Sequence, residues 1–248
     1  MRTSIRTVAV AATTVSLALL GTACSGDGAG DSGRGPASPS ASATSGAPAK
    51  ALSAAELEKL IVEQADLPGH QVQKAKASDL VKPGDVSTDQ APCKPLADAM
   101  SFLSAGDPAA SVQRRVIEVP SKTGSPEDAL GALAAPVTNV TLGSYEGQGA
   151  QEAFVSLKAA GTDCAGGFGV TGQGEKAKVT GVAPETLAAG DESLAWTVTS
   201  DVDGKPFVTK LVVFRKGGTL VSFSTISLGG TVRELPRKVV EAQAAKLS

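Results

Sequence analysis

Cysteine and histidine, whose chemistry depends strongly on their surroundings, are rare in this sequence: its 248 residues include three cysteines and one histidine. Cys24 directly follows the small residues Gly21-Thr22-Ala23, whereas Cys93 and Cys164 lie far from it and from each other. A cysteine can be acylated, oxidised to a disulfide or bound to a metal, and a histidine can act as a base beside suitable partners. The sequence around each residue decides between these possibilities.

His70 is the only histidine, so a histidine-centred triad or a multi-histidine metal site would have to include it. It follows Pro68-Gly69, which predicts an exposed loop position. Gly167–Gly172 matches the dinucleotide-binding pattern in letters, but a predicted helix precedes it where that site requires a strand. We therefore interpret it as a glycine-rich surface loop and expect a protein without enzyme activity, metal or cofactor.

The first 23 residues have the three parts of a secretory signal peptide. Arg2 and Arg6 form a positive region, Val8–Leu20 an uncharged apolar run, and Gly21–Ala23 the small residues of a cleavage zone. The apolar run of about 13 residues is too short to cross a bilayer core about 30 Å thick. We expect residues 1–23 to be removed.

Leu20-Gly21-Thr22-Ala23-Cys24 resembles the lipobox of bacterial lipoproteins, in which the cysteine is acylated and becomes the mature N-terminus. The resemblance implies that Cys24 carries long acyl chains such as palmitate and that membrane lipid is a partner through acylated Cys24. At about 0.8 kcal/mol per buried methylene, two or three chains hold more firmly than one. The alternative is ordinary secretory cleavage after Ala23, which would leave a free thiol.

If Cys24 is acylated, two cysteines remain for the folded part of the chain. Cys93 and Cys164 then form an even pair in an exported, oxidising compartment, where pairing is expected. We predict a disulfide between them that joins the first half of the domain to its middle.

Composition separates a tether from a folded domain and excludes one class of partner. Residues 24–50 contain, after the cysteine, mostly Gly, Ser, Ala, Pro and Asp, which predicts a disordered tether before a globular domain at residues 51–248. Arg2 and Arg6 are the only charged residues of the leader, so the mature chain has 21 Lys and Arg against 25 Asp and Glu. A chain with net charge −4 and few aromatics is a poor nucleic-acid partner.

Secondary-structure signals predict an α+β domain with a twisted antiparallel sheet and helices packed on one face. A capping box at Ser53-Ala54-Ala55-Glu56 opens the first helix, and the last helix is predicted at Leu235–Leu247. Leu194–Thr199 alternates in hydrophobicity before the turn Asp203-Gly204. In the following strand, the continuous run Leu211–Phe214 predicts burial on both faces.

Three segments together resemble a known family: a helix that ends in Cys164, then Asp191–Trp196, then Val212–Gly218. They are similar to the extracellular sensor-like domains of actinobacterial receptor serine/threonine kinases and their stand-alone lipoprotein relatives. The resemblance spans roughly Ser53–Ser248 and implies an extracytoplasmic α+β domain with a cleft that could bind a ligand.

Two functions are compatible with these features. The first is a non-catalytic binding or sensor-like lipoprotein on the outer face of the cell membrane, expected to be a monomer with an unknown small-molecule or envelope ligand. The second is a carrier of an apolar envelope ligand, either lipid or glycolipid. The carrier predicts a large dry cavity with lining residues such as Leu211, Val213, Phe223 and Ile226.

Overall fold

The computed structural model describes residues 50–119, 134–172, 174–229 and 231–248, which form one α+β domain on a nine-stranded sheet. The strands are β1 (His70–Lys74), β2 (Val86–Thr88), β3 (Ala110–Glu118), β4 (Val137–Ser144), β5 (Phe168–Gly172), β6 (Glu175–Glu185), β7 (Glu192–Val202), β8 (Lys205–Lys216) and β9 (Thr219–Ile226). Their order across the sheet is β1-β3-β4-β9-β8-β7-β6-β5-β2, and all neighbours are antiparallel. The predicted α+β class with an antiparallel sheet is confirmed.

The α-helices of the described residues are α1 (Ala54–Leu60), α2 (Lys94–Met100), α3 (Gly149–Asp163) and α4 (Arg237–Lys246). The predicted capping box at the start of α1 is present: the Ser53 backbone donates to the Glu56 carboxylate at 2.8 Å, and the Glu56 backbone donates to the Ser53 hydroxyl at 3.4 Å. None of the described helices has the length and hydrophobicity needed to cross a membrane.

Strand β8 explains where the helices lie. Successive side chains of a strand point to opposite faces of a sheet. Leu211 and Val213 pack in the core formed with α2 and α3, whereas Val212 and Phe214 pack in the core formed with α1 and α4. The helices therefore cover both faces, where the sequence analysis placed them on one. The reason is in β8 itself, because its continuous apolar run must be shielded from water on both sides.

The hairpin predicted at Asp203-Gly204 is present, and a second hairpin follows it. Asp203 and Gly204 have φ values of 53° and 75° and join β7 to β8, and Gly217, with a φ of 56°, lies in the turn to β9. This backbone is the one that two-residue hairpin turns require. β7, β8 and β9 are part of a larger sheet because β9 also pairs with β4 along its whole length.

The glycine-rich segment is a strand, which corrects the predicted surface loop. Gly167 precedes β5 with a φ of 98°, and a Cβ atom there would come within 2.2 Å of the Val179 carbonyl oxygen in β6. β5 and β6 then pair from Phe168↔Val179 to Gly172↔Glu175. Gly167 thus permits close strand packing rather than the approach of a pyrophosphate group.

Candidate functional site

The structure joins Cys93 and Cys164 in a disulfide with a Cα–Cα distance of 5.9 Å, as predicted. Cys93 immediately precedes α2, and Cys164 immediately follows α3. Both are fully buried in the core between these helices and the sheet. The bond therefore fixes the position of α2, which forms one wall of the cleft described below. Cys24 and the predicted tether up to residue 49 lie outside the described residues.

The cleft exists because β1 is shorter than β3. β1 pairs with β3 only from His70↔Glu118 to Lys74↔Arg114, whereas β4 pairs with β3 from Ile117 back to Ala110. Ala110–Gln113 consequently have a described strand partner on one side alone. The backbone groups on the other side of this edge are available for hydrogen bonds to another chain or to a ligand.

A cavity of about 680 Å³ lies along this open edge, and we call it the β3-edge cleft. Ser111, Val112 and Gln113 form its floor, while α1 and α2 contribute Ala54 and Asp98. Its volume is in the usual range for small-molecule sites, about 300–1,000 Å³. An apolar wall faces the edge and consists of Leu80, Val81, Pro83, Pro95, Leu103 and Pro108.

Two carboxylates that form ion pairs, those of Asp98 and Glu58, line the cleft. Asp98 is 8% exposed and accepts a hydrogen bond from Lys94 at 2.5 Å. Burial raises the pKa of Asp98, and the pairing with Lys94 offsets part of this rise. Glu58 bridges Arg114 at 2.7 Å and Lys74 at 3.0 Å, and the hydrogen bond from Arg114 is the main reason that its pKa is lowered. Polar groups with fixed positions therefore border the apolar wall.

The Ser104 hydroxyl is buried beside the Tyr145 hydroxyl, and the two side chains interact at the wall of the cleft. The Tyr145 hydroxyl donates to the Ala105 carbonyl oxygen at 2.5 Å, and burial raises the pKa of Tyr145. These contacts fix the position of this part of the wall.

A smaller polar cavity of about 450 Å³ adjoins the cleft and shares Ala75, Val81 and Gln113 with it. Arg115 and Asn139, which are paired across β3 and β4, line this second space. Gln113 donates to the Phe102 carbonyl oxygen at 2.7 Å and thereby fixes the wall between the two cavities. An elongated ligand could extend from the apolar cleft into the polar extension.

The residues predicted for an apolar carrier cavity do not come together in this way. Leu211 and Val213 are fully buried in the core on one face of the sheet, and Phe223 is fully buried in the core on the other. Ile226 is only partly buried at the end of β9. These side chains are packed against neighbours, so they do not line a common space.

His70 is also placed differently from the prediction. It begins β1, is partly buried and lines a separate cavity on the α1 and α4 side of the sheet, rather than standing in an exposed loop. In the pairing of β1 with β3, His70 lies opposite Glu118. The described residues contain no group of three or more His, Cys, Asp or Glu side chains that could hold a metal ion.

The residues of the β3-edge cleft were not predicted as a site from the sequence. Asp98 and Ser104 carry no recognisable motif, and their proximity to Ser111–Gln113 depends on where β1 ends. The one local signal is Lys82-Pro83-Gly84-Asp85, a turn-rich segment in which a strand cannot continue. That segment predicts a turn that ends a strand, but it does not predict the cavity beside it.

No protein-family model matches the chain, and no curated protein matches it at a significant level. Among solved structures, the extracellular domain of PknH from Mycobacterium tuberculosis is similar with a TM-score of 0.48 and 11% identity, over 80% of this chain and 95% of that one. A putative uncharacterized protein of Mycobacterium smegmatis gives a TM-score of 0.34 and 12% identity, over 73% of this chain and 90% of that one. At scores below 0.5, neither ligand nor activity follows from these similarities.

Proposed function

We propose that this protein is a lipid-anchored, extracytoplasmic binding module without catalytic activity, in which the β3-edge cleft takes the ligand. The observation that carries the proposal is the open edge at Ala110–Gln113 inside a cavity of about 680 Å³. Apolar walls bordered by a few polar groups with fixed positions are the features expected of a binding site. The lining of the cleft includes no histidine or cysteine, and the described residues contain no group of three or more side chains that could hold a metal ion.

The anchor is supported by the leader and by Cys24. A tether of 26 residues from Ser25 to Lys50 would span about 25–30 Å as a flexible coil, which is enough to hold the domain clear of lipid headgroups. The described chain enters the domain next to the cleft, since the Leu52 backbone donates to the Ser144 hydroxyl at 2.8 Å and Ala54 lines the cavity.

Replacement of Cys24 by Ala tests the anchor. We expect the wild-type protein in the membrane fraction and Cys24→Ala in the culture medium, because the substituted chain cannot be acylated. Mass spectrometry of the wild-type N-terminus should show acyl chains on Cys24. A variant that stays in the membrane fraction, or an unmodified wild-type sulfur, contradicts the anchor.

Ligand binding at the cleft is tested with thermal-shift measurements against cell-envelope fragments, including peptidoglycan stem peptides. A ligand present at 100 times its Kd stabilises the folded state by about 2.7 kcal/mol. Ser111→Trp would fill the open edge, whereas Ser87→Trp adds the same bulk to another exposed strand serine outside the cleft. We expect the shift to disappear in Ser111→Trp and to persist in Ser87→Trp. Equal responses of the two variants would rule out the cleft.

A further inference from the structure

A second cavity of about 570 Å³ lies on the face of the sheet covered by α1 and α4, and we call it the His70 cavity. Ends of β1, β3, β4 and β9 form its floor, and residues 231–239 form its outer wall. Val116, Leu235 and Val239 connect it to the core on this face. It is therefore separate from the β3-edge cleft, whose lining shares none of these residues.

Cations without ion-pair partners line the outer wall. Arg233, Arg237 and Lys238 are exposed and form no ion pair within 4.0 Å among the described residues, whereas Arg114, Lys210 and Arg215 elsewhere each have at least one. Arg237 donates a long hydrogen bond, 3.3 Å, to the Thr186 carbonyl oxygen, and its charge contributes to the lowered pKa of Glu185. Two acids, Glu118 and Glu234, share the lining. The cavity thus has a net positive charge in a domain whose overall charge is negative.

The floor offers further hydrogen-bonding groups. The Nδ1 atom of His70 is buried and has no partner among the described residues. Thr138 and Thr225 are buried, with 4% and 2% of their residue surfaces exposed, and their hydroxyls lie 3.0 Å apart and hydrogen-bond to each other. One hydroxyl donates in that bond, so the hydrogen of the other is left without a described acceptor. A buried hydrogen of this kind is costly unless a ligand accepts it.

We propose that the His70 cavity binds the phosphate group of a phosphomonoester. Such a group carries a charge of about −1.5 to −2 and three strong acceptor oxygens, which match several cations and donors rather than one. The remaining walls, Pro136, Val232 and Leu235, are apolar and suit the carbon part of the molecule. The phosphate can belong to a soluble metabolite or to a lipid headgroup, since the chemistry recognised is the same.

His70 provides the reporter for a test, because it is the only histidine in the chain and its imidazole signals need no assignment. The full chain with Cys24→Ala is titrated with inorganic phosphate, glycerol 3-phosphate and neutral glycerol, and the imidazole signals are followed by proton–nitrogen correlation NMR. We expect saturable shifts with both phosphates and none with glycerol. If neither phosphate gives saturable shifts and the protein also fails to float with the phosphatidic acid vesicles described next, the proposal is overturned.

Flotation with vesicles separates the two sources of the phosphate. Vesicles of phosphatidylcholine with phosphatidic acid present a phosphomonoester headgroup, and vesicles of phosphatidylcholine alone do not. Flotation with phosphatidic acid alone, without binding of glycerol 3-phosphate, supports a lipid source. Binding of glycerol 3-phosphate supports a soluble source.

Matched charge variants establish whether the cavity is responsible. Arg237→Gln/Lys238→Gln removes two cavity cations, and Lys158→Gln/Lys205→Gln removes two exposed cations elsewhere on the domain. We expect the first variant to bind glycerol 3-phosphate or the vesicles at least tenfold more weakly with an unchanged Tm, and the second to bind as the wild type does. Equal weakening by both variants indicates a general charge effect and overturns the site.

Discussion

Gly161 in α3 lies directly against the indole ring of Trp196 in β7: a Cβ atom at Gly161 would come within 2.6 Å of Nε1 and 2.7 Å of Cζ2. Trp196 is the only tryptophan in the chain and is 4% exposed. The ring is rigid and belongs to the core beneath α2 and α3, so it cannot move aside easily. A glycine within a helix is therefore required here by packing.

Gly161→Ala should destabilise the domain, although alanine normally favours a helix by about 1 kcal/mol over glycine. Overpacking of a core costs about 1–3 kcal/mol, so after the gain from helix propensity we expect a net loss of up to about 2 kcal/mol. Denaturant unfolding measures it, with Trp196 fluorescence as the signal. Gly166→Ala, where a Cβ atom would meet nothing within 4 Å, is the control and should leave stability nearly unchanged. A more stable Gly161→Ala would show that the helix and the ring can separate.

The Cys93–Cys164 disulfide should contribute strongly to stability. The two residues are 71 positions apart, and closing a loop of that length is worth about 4 kcal/mol in the chain-entropy treatment. Cys93→Ala/Cys164→Ala should lower the free energy of unfolding by about that amount. Calorimetry of the reduced wild-type protein should give a Tm that is lower than that of the oxidised protein and similar to that of the double alanine variant. An unchanged Tm after verified reduction would mean that α2 and α3 are held by packing alone.

The ion pair between Glu185 and Lys210 stabilises the α4 side of the sheet. Lys210 donates to the Glu185 carboxylate at 2.5 Å, and its side chain is 9% exposed. Thr197 contacts both groups. Glu185→Gln leaves the Lys210 charge buried without its partner, which should cost about 3 kcal/mol. Chemical denaturation at neutral pH measures the loss, and Glu146→Gln on the surface is the control.

The same pair predicts a dependence of stability on pH. Burial pushes the pKa of Glu185 upward, but hydrogen bonds from Lys210 and Thr197 outweigh it, so the pKa is lowered in the folded state. A lowered folded pKa means that the stabilisation is complete above the ordinary value of 4.5 and is lost as the pH falls through the folded value. The stability difference between wild type and Glu185→Gln should therefore shrink in acid. A difference that stays constant from neutral pH to pH ~3 would contradict this.

Local signals predicted the elements of the fold well. The capping box at Ser53, the hairpin turn at Asp203-Gly204 and the alternation of β7 each depend on neighbouring residues, and all three are present. β5 was missed because its glycines are typical of loops, whereas pairing with β6 keeps them extended. The partner of a strand is decided by contacts distant in sequence, which single-sequence patterns do not contain.

The candidate site could not be predicted from the sequence, because it too depends on contacts between residues distant in sequence. Asp98, Ser104 and Ser111 meet because β1 ends at Lys74 and leaves part of β3 uncovered. His70 was predicted in a loop because Pro68-Gly69 precedes it, but the turn ends at Gly69 and the strand begins with the next residue. The two cavities thus follow from strand lengths and register, whereas the disulfide follows from cysteine number and compartment.

The open edge of β3 should be visible in amide hydrogen exchange. In an antiparallel strand, backbone N–H groups alternate between the two neighbours, so the outward amides within Ala110–Gln113 have no strand partner, whereas those within Arg114–Glu118 face β1. We expect the outward amides of the first segment to exchange at least tenfold faster. A ligand that occupies the β3-edge cleft should slow them selectively and leave β7–β8 amides unaffected. Equally slow exchange along the whole of β3 in the free protein would mean that the edge is covered in solution, and the cleft would then need another mode of binding.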